Sequence, residues 1–301
     1  MFKTILVPLD GSTLAEWALA PAGVLARRAG ATIVLVRAPN VEPAYAGAES
    51  AYGLIYPQQA VGRSSAEARD YLRAIQTRLT ARGIANRTVV AEGDPATAIV
   101  DLASQSKADL IVMSSHGYSG LARWLLGSVA EKVLRAAECP ELVVRSQQAL
   151  RHVLITLDGT ELSARAVEPA IEIAQALGAN VTVLRVVPEL ADEQIHALDQ
   201  FETGLGPRLV QEVREDAECY LQKVAERFDE LGLHINAEVR SGPAANAILE
   251  YAVHHAIDVI AMATHGRSGL QRWVYGSVTE KVLRAADTSM LVVRPRANNL
   301  N

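Results

Sequence analysis

The sequence has little that would tie it to secretion, membranes, metals or nucleic acid. It has two cysteines, Cys139 and Cys219, in 301 residues. They do not occupy matching places in the repeat described below, so we expect two unpaired thiols in a reducing compartment. No Cys/His cluster shows metal-ligand spacing, and His254 and His255 are adjacent rather than one helical turn apart. There is no basic excess. The formal net charge is -5, where a general nucleic-acid binder would carry a basic stripe. No apolar run approaches the roughly 20 residues that span a bilayer. The opening MFKTILVPLD enters a strand-like run at once and lacks a signal-peptide pattern. Together these absences predict a cytoplasmic protein that partners neither nucleic acid nor membrane.

What is present is repetition. SSHGYSGLARWLLGSVAEKVLRAA runs from Ser114 to Ala137, and ATHGRSGLQRWVYGSVTEKVLRAA from Ala263 to Ala286, with 17 of 24 positions identical. ILVPLDGS from Ile5 is matched by VLITLDGT from Val153. The offset is 148 residues at Asp10 and Asp158, and 149 at Gly127 and Gly276. A period of that length is a whole domain. We therefore divide the chain into domains 1–147 and 148–301, with a seam near Gln147–Leu150 too short for a flexible linker.

Within each half, apolar runs alternate with amphipathic segments. Ile5–Leu9, TIVLVRA and DLIVM, with VTVLRVV and DVIAM in the second half, read as strands buried on both faces of a parallel sheet. Asp10-Gly11-Ser12 turns into a helix with Ser12 as expected N-cap and Glu16 near its positive end. Pro21 and Pro169, at the same offset, predict a shared kink. A long helix follows, with Ala68, Tyr71, Leu72, Ile75 and Leu79 on its inner face. Its twin presents Val213, Ala217, Tyr220, Leu221, Val224 and Phe228. Pro95 and Pro243 mark the first turn of the next helix. Five strands with helical crossovers give each half an α/β fold, an open, doubly wound, Rossmann-like parallel sheet. Segments 39–64 and 188–208 follow the second strand's carboxyl end and are expected to be irregular, either as flexible surface loops or as lids over a ligand.

The glycine stretch carries the chemistry. Gly127-Ser128 and Gly276-Ser277 each open an amphipathic helix. Free backbone N–H groups, a hydroxyl and the positive dipole end suit a phosphate, and glycine permits close approach. A plain tight turn remains the competing reading. No Walker A loop is present, and the first turn is Asp-Gly-Ser rather than G-x-G-x-x-G. Asp10 and Asp158 are either turn residues or ligand contacts. His116 and His265 lie in the loop without a carboxylate partner by spacing, and we assign no catalytic residue. Trp124 and Trp273 read as packing. Arg123 and Arg272 are read either as neutralising phosphate charge or as solvated. Glu131, Lys132, Glu280 and Lys281 read as solvated.

At this point the residues resemble the universal stress protein family in its tandem form. The resemblance covers nearly the whole chain and rests on ILVPLDGS and VLITLDGT, the two HG-x9-GS stretches, and the closing CPELVVR and TSMLVVR. It implies ATP, taken with Mg²⁺, held by a Gly-x2-Gly-x9-Gly-(Ser/Thr) loop. An Asp after the first strand and backbone groups after the second would hold the adenosine end. It further implies a strand order of 3-2-1-4-5, and dimers paired through the last strand. In a tandem chain that pairing becomes an internal pseudo-dimer. Carried over by position, the first site is Pro8, Asp10, Ala38, Met113, Ser114, Gly117, Gly127, Ser128 and Val129. The second is Thr156, Asp158, Val186, Met262, Ala263, Gly266, Gly276, Ser277 and Val278. Separately from the resemblance, Arg267, where the first loop has Tyr118, is expected to reach a terminal phosphate. Ser114 and Ala263 depart from the motif's first glycine, and Thr156 replaces Pro8. The expected role is regulatory, through a partner protein the sequence does not name. A slow ATP-hydrolysing or phosphoryl-transferring enzyme, and a nucleotide-independent interaction module, are the alternatives.

Overall fold

Strand-forming runs and helix starts organise the chain into two compact units, Met1–Gln147 and Gln148–Asn301. The computed structural model describes residues 1–39, 57–115, 126–229, 232–264 and 276–294. The first unit contains β1 (Thr4–Pro8), α1 (Leu19–Ala29), β2 (Thr32–Arg37), α2 (Pro57–Thr80) and β3 (Asn86–Val90). It continues with α3 (Pro95–Gln105), β4 (Leu110–Ser114), α4 (Ser128–Ala136) and β5 (Glu141–Val144). Its strands run in the order β3-β2-β1-β4-β5 and every described pair is parallel.

The second unit contains β6 (His152–Thr156), α5 (Glu161–Ala164), α6 (Val167–Leu177), β7 (Asn180–Val187), α7 (Asp192–Asp199) and α8 (Leu205–Asp229). It then runs through β8 (Ile235–Ser241), α9 (Ala244–His254), β9 (Val259–Ala263), α10 (Ser277–Ala285) and β10 (Ser289–Val293). Its sheet order is β8-β7-β6-β9-β10, again parallel. Both units thus have the order 3-2-1-4-5.

The apolar runs are buried as a sheet covered on both faces requires. Ile5, Leu6, Val7, Ile33, Val34, Leu35, Ile111 and Val112 are all fully enclosed. In each unit the order reverses between the first and fourth strands, so the loops leaving their carboxyl ends part and open a crevice.

Four local expectations need correcting. Pro21 and Pro169 do not kink a helix. Each is the third residue of a helix that starts afresh, α1 after a 3-10 turn at Ala15–Ala18 and α6 after α5. A first-turn residue has no intrahelical N–H bond to lose, so proline costs nothing there. Ser12 is not the N-cap: Leu14 holds that position at the 3-10 turn and Ala18 at α1, while the Ser12 Oγ accepts from the Ala15 N–H at 3.1 Å. Val213 is exposed, and the buried stripe of α8 begins at Ala217. The segment 188–208 is not irregular, because α7 and the start of α8 occupy most of it. An N–H from Ala191 to the Gln194 side chain, at 2.9 Å, secures the start of α7. In segment 39–64, α2 begins at Pro57, and 40–56 lie outside the described residues.

Candidate functional site

The site is built at the crevice from a turn, a helix end and two strand ends. The turn is Asp10-Gly11-Ser12 in one unit and Asp158-Gly159-Thr160 in the other. Asp10 Oδ1 accepts the Ser12 N–H at 2.8 Å. Asp158 Oδ1 accepts both the Thr160 N–H at 2.8 Å and the Thr160 hydroxyl at 2.6 Å. These bonds close an Asx turn that a short acidic side chain makes readily. The central glycines have φ of +96° and +89°, a conformation that disfavours any Cβ. Burial works to raise the Asp158 carboxyl, but the bonds from Thr160 and Ser163 prevail and hold it below the usual carboxylate range.

The helix end is the amino terminus of α4 or α10. Gly127 has φ −61° and ψ 146°, and Gly276 has φ −54° and ψ 140°. Any residue can adopt that backbone, so strain does not call for glycine here. No side chain caps either helix, and asparagine or serine would normally do so. A glycine in that place leaves the first-turn N–H groups open towards the crevice.

Around these elements the first unit encloses a cavity of about 470 Å³. Pro8, Asp10, Ala38, Met113, Ser114, Gly127, Ser128 and Val129 all line it. The second unit encloses about 250 Å³, lined by Thr156, Asp158, Val186, Met262, Ala263, Gly276, Ser277 and Val278. The fold therefore brings together residues up to 123 positions apart in sequence, from Thr156 to Thr279. Gly117, Gly266 and Arg267 lie outside the described residues, as do His116, His265, Tyr118, Arg123, Trp124, Arg272 and Trp273.

Ser114 and Ala263 end β4 and β9. Among the described residues only Lys107 and Ala256 are non-glycines at positive φ. Both replacements of the motif's first glycine are thus unstrained. Thr156 is buried, and its hydroxyl donates to the Ala261 carbonyl at 3.4 Å.

Sequence reasoning missed three contributions. Arg37, from the end of β2, lines the first cavity. Pro95 and Ile99 of α3 form part of its apolar wall, as Ala244 and Ile248 of α9 do in the second unit. The Pro-marked helix starts were visible signals for α3 and α9. A lone arginine after a strand gave none. Among the described residues, no group of three or more His, Cys, Asp or Glu side chains is placed to hold a metal ion, and no helix is long and apolar enough to cross a membrane.

Comparison with known proteins fits this duplicated geometry. A universal stress protein of Methanocaldococcus jannaschii is 36% identical over 147 residues, covering 48% of this chain and 83% of its own. One from Thermus aquaticus is 37% identical over 146 residues, 48% of this chain and all of its own. One from Mycolicibacterium smegmatis is 28% identical over 222 residues, 71% of this chain and 70% of its own. The crystal structure of a universal stress protein from Archaeoglobus fulgidus has a TM-score of 0.70 at 20% identity, covering 97% of this chain and 98% of its own. That identity speaks to fold alone. The model of the universal stress protein family matches twice, over residues 1–145 and 149–294. The chain belongs to the universal stress protein family and carries its domain in tandem.

Proposed function

We propose that the chain binds ATP at these two crevices and acts as a regulatory protein with little or no turnover. The observation that carries this is the uncapped glycine at the start of α4 and α10. Its backbone does not require glycine, no side chain takes the first-turn donors, and it lines the cavity in both units. An anion held by those donors explains all three features. The aspartate turn lies in the same cavity, and the apolar ends of the second strand supply a wall for a base. The first cavity, at about 470 Å³, falls within the roughly 300–1,000 Å³ typical of small-molecule sites, and the second, at about 250 Å³, falls just below it. Mg²⁺ would ride on the phosphates rather than on a protein cage. Occupancy would bias the surrounding loops and so the surface offered to a partner protein.

Turnover has little support. Asp10 and Asp158 are the only carboxylates among the described lining residues, and each is engaged in its own turn. Neither is placed as a base for an attacking water at the phosphate end. The test is to denature the purified chain and quantify released ATP, ADP and AMP. Retained ATP supports the proposal. Predominant ADP moves the assignment to a slow ATPase. No nucleotide, followed by no heat on titrating ATP, makes the chain a nucleotide-independent interaction module.

A further inference from the structure

One device occurs in both units and, beyond Arg37 lining the first cavity, has no role in the site as described so far. Arg37 follows Val36, and the Val36 carbonyl accepts the Leu9 N–H at 2.8 Å. The Arg37 side chain therefore starts beside the aspartate turn. A Cβ built on Gly11 would stand 3.1 Å from Cζ, 3.1 Å from Nη2 and 3.2 Å from Nη1 of Arg37. Near-equal distances to three coplanar atoms mean that the glycine sits over the face of the guanidinium. The same guanidinium lies 5.0 Å from the ring centroid of Tyr71 on α2. The second unit repeats the arrangement. A Cβ on Gly159 would stand 3.0, 3.0 and 3.2 Å from the corresponding atoms of Arg185, and Arg185 lies 5.4 Å from the Tyr220 ring on α8.

Each arginine is thus packed against a bare glycine and an aromatic ring. Three elements that are remote in sequence meet there: the turn after the first strand, the second strand, and the long helix. A planar guanidinium can pack against both at once, and arginine is favoured over lysine in such contacts. The slot also gives the glycine a second reason to be glycine, beyond its positive φ. The residue it immobilises is next to the aspartate that faces the cavity.

We infer that Arg37 and Arg185 are positioning residues for Asp10 and Asp158, each fixing the aspartate turn by packing its guanidinium against a glycine and a tyrosine ring. The inference rests on the proposed nucleotide site and deepens it, since it assigns control of the nucleoside end to a residue pair that need not touch phosphate. Loss of a guanidinium would let the turn move, and all adenosine nucleotides would be affected alike.

The test uses the full chain with Arg37→Ala/Arg185→Ala and Arg37→Lys/Arg185→Lys, titrated with ATP, ADP and AMP by calorimetry. The expected result is a loss of roughly ten-fold, equal for the three ligands, with lysine no better than alanine. A loss that grows with phosphate number, or recovery with lysine, would mean a charge contact to phosphate and would overturn the inference. So would unchanged affinity. Hydrogen exchange of the peptide spanning Leu9–Ala15 is read in parallel without ligand. Faster exchange in the alanine variant is expected, and unchanged exchange overturns positioning even in a chain that binds no nucleotide. Wild-type protein that binds none of the three ligands, with faster exchange in the variant, would sink the nucleotide proposal while leaving the turn-fixing role standing.

Discussion

At the scale of single residues, the duplicated chain offers an internal control, because equivalent side chains have different neighbours. The Tyr71 hydroxyl donates to Glu16 Oε1 at 3.2 Å, and Arg78 donates to Glu16 Oε2 at 2.6 Å. Burial, with Glu16 beside it, pushes the Tyr71 phenol well above its usual range. Position 164 is alanine where the first unit has Glu16. The Tyr220 hydroxyl is buried and meets Ser163 without the geometry of a full hydrogen bond. A buried hydroxyl without a full bond carries its desolvation cost with little return, whereas a bonded one contributes about 1 kcal/mol. Tyr71→Phe is therefore expected to destabilise by roughly 1 kcal/mol, and Tyr220→Phe to be neutral or slightly stabilising. Urea denaturation of the two variants checks this. Equal losses would show that Tyr220 makes a full hydrogen bond after all.

At the scale of elements, helix α9 joins two different environments. Its first turn lines the second cavity through Ala244 and Ile248. At its other end the Tyr251 and His255 rings stack with centroids 3.8 Å apart. Beside them His152 Nε2 lies 2.9 Å from the Thr182 hydroxyl. The first unit has Thr4, Val34, Leu102 and Ser106 at the places of His152, Thr182, Tyr251 and His255, so this cluster belongs to the second unit alone. Burial pushes the His152 imidazole below its usual value, and His255 acts the same way. The His255 backbone and Asp258 oppose them without prevailing. A depressed folded-state value means that the unfolded chain takes up the proton first. The stability contributed by neutral His152 is whole above the unfolded value of about 6.5 and is lost as pH falls through the lower folded value. Thermal melts should fall between pH 7.5 and 5.5 in the wild type. They should fall less in His152→Thr, which restores the residue of the first unit. Parallel pH profiles would remove His152 as the cause.

The same elements show what the sequence could and could not disclose. Strand runs and glycine punctuation were legible because periodicity and turn chemistry are local. So were Asp10 and Gly127-Ser128, whose neighbours in sequence already imply a turn and a helix start. The restart of α1 before Pro21 was misjudged because proline tolerance depends on where the first turn begins, and nothing near Leu19 marks that place. Helix α7 was missed because its acidic composition resembles a loop. Arg37, Arg185 and the His152 cluster were invisible for a different reason. Each depends on partners between 26 and 106 residues away, as Gly11 is from Arg37 and Asp258 from His152, and no local pattern reports such a meeting.

At the scale of the whole molecule, duplication supplies two sites that need not be equal. Each cavity is lined by residues of its own unit, and the first is nearly twice the size of the second. Arg37, Pro39 and Ser64 extend the first lining from the end of β2 and from α2, and their counterparts do not reach the second. A larger enclosed surface buries more of a nucleotide, so the first unit is expected to bind ATP the more tightly, by about ten-fold or more. Calorimetry on the full chain would then show two phases. The helix starts provide a way to silence each without harming the fold. Asparagine is a better N-cap than glycine by a few tenths of a kcal/mol, and the φ and ψ of Gly127 and Gly276 accept it. Its side chain would take the first-turn donors that a phosphate needs. Gly127→Asn should abolish the tight phase while leaving the melting temperature unchanged or raised, and Gly276→Asn should abolish the weak phase. Stability gained together with binding lost separates the two roles of one residue. If Gly127→Asn kept full ATP affinity, phosphate would not sit at the start of α4, and the site assigned to both units would have to move.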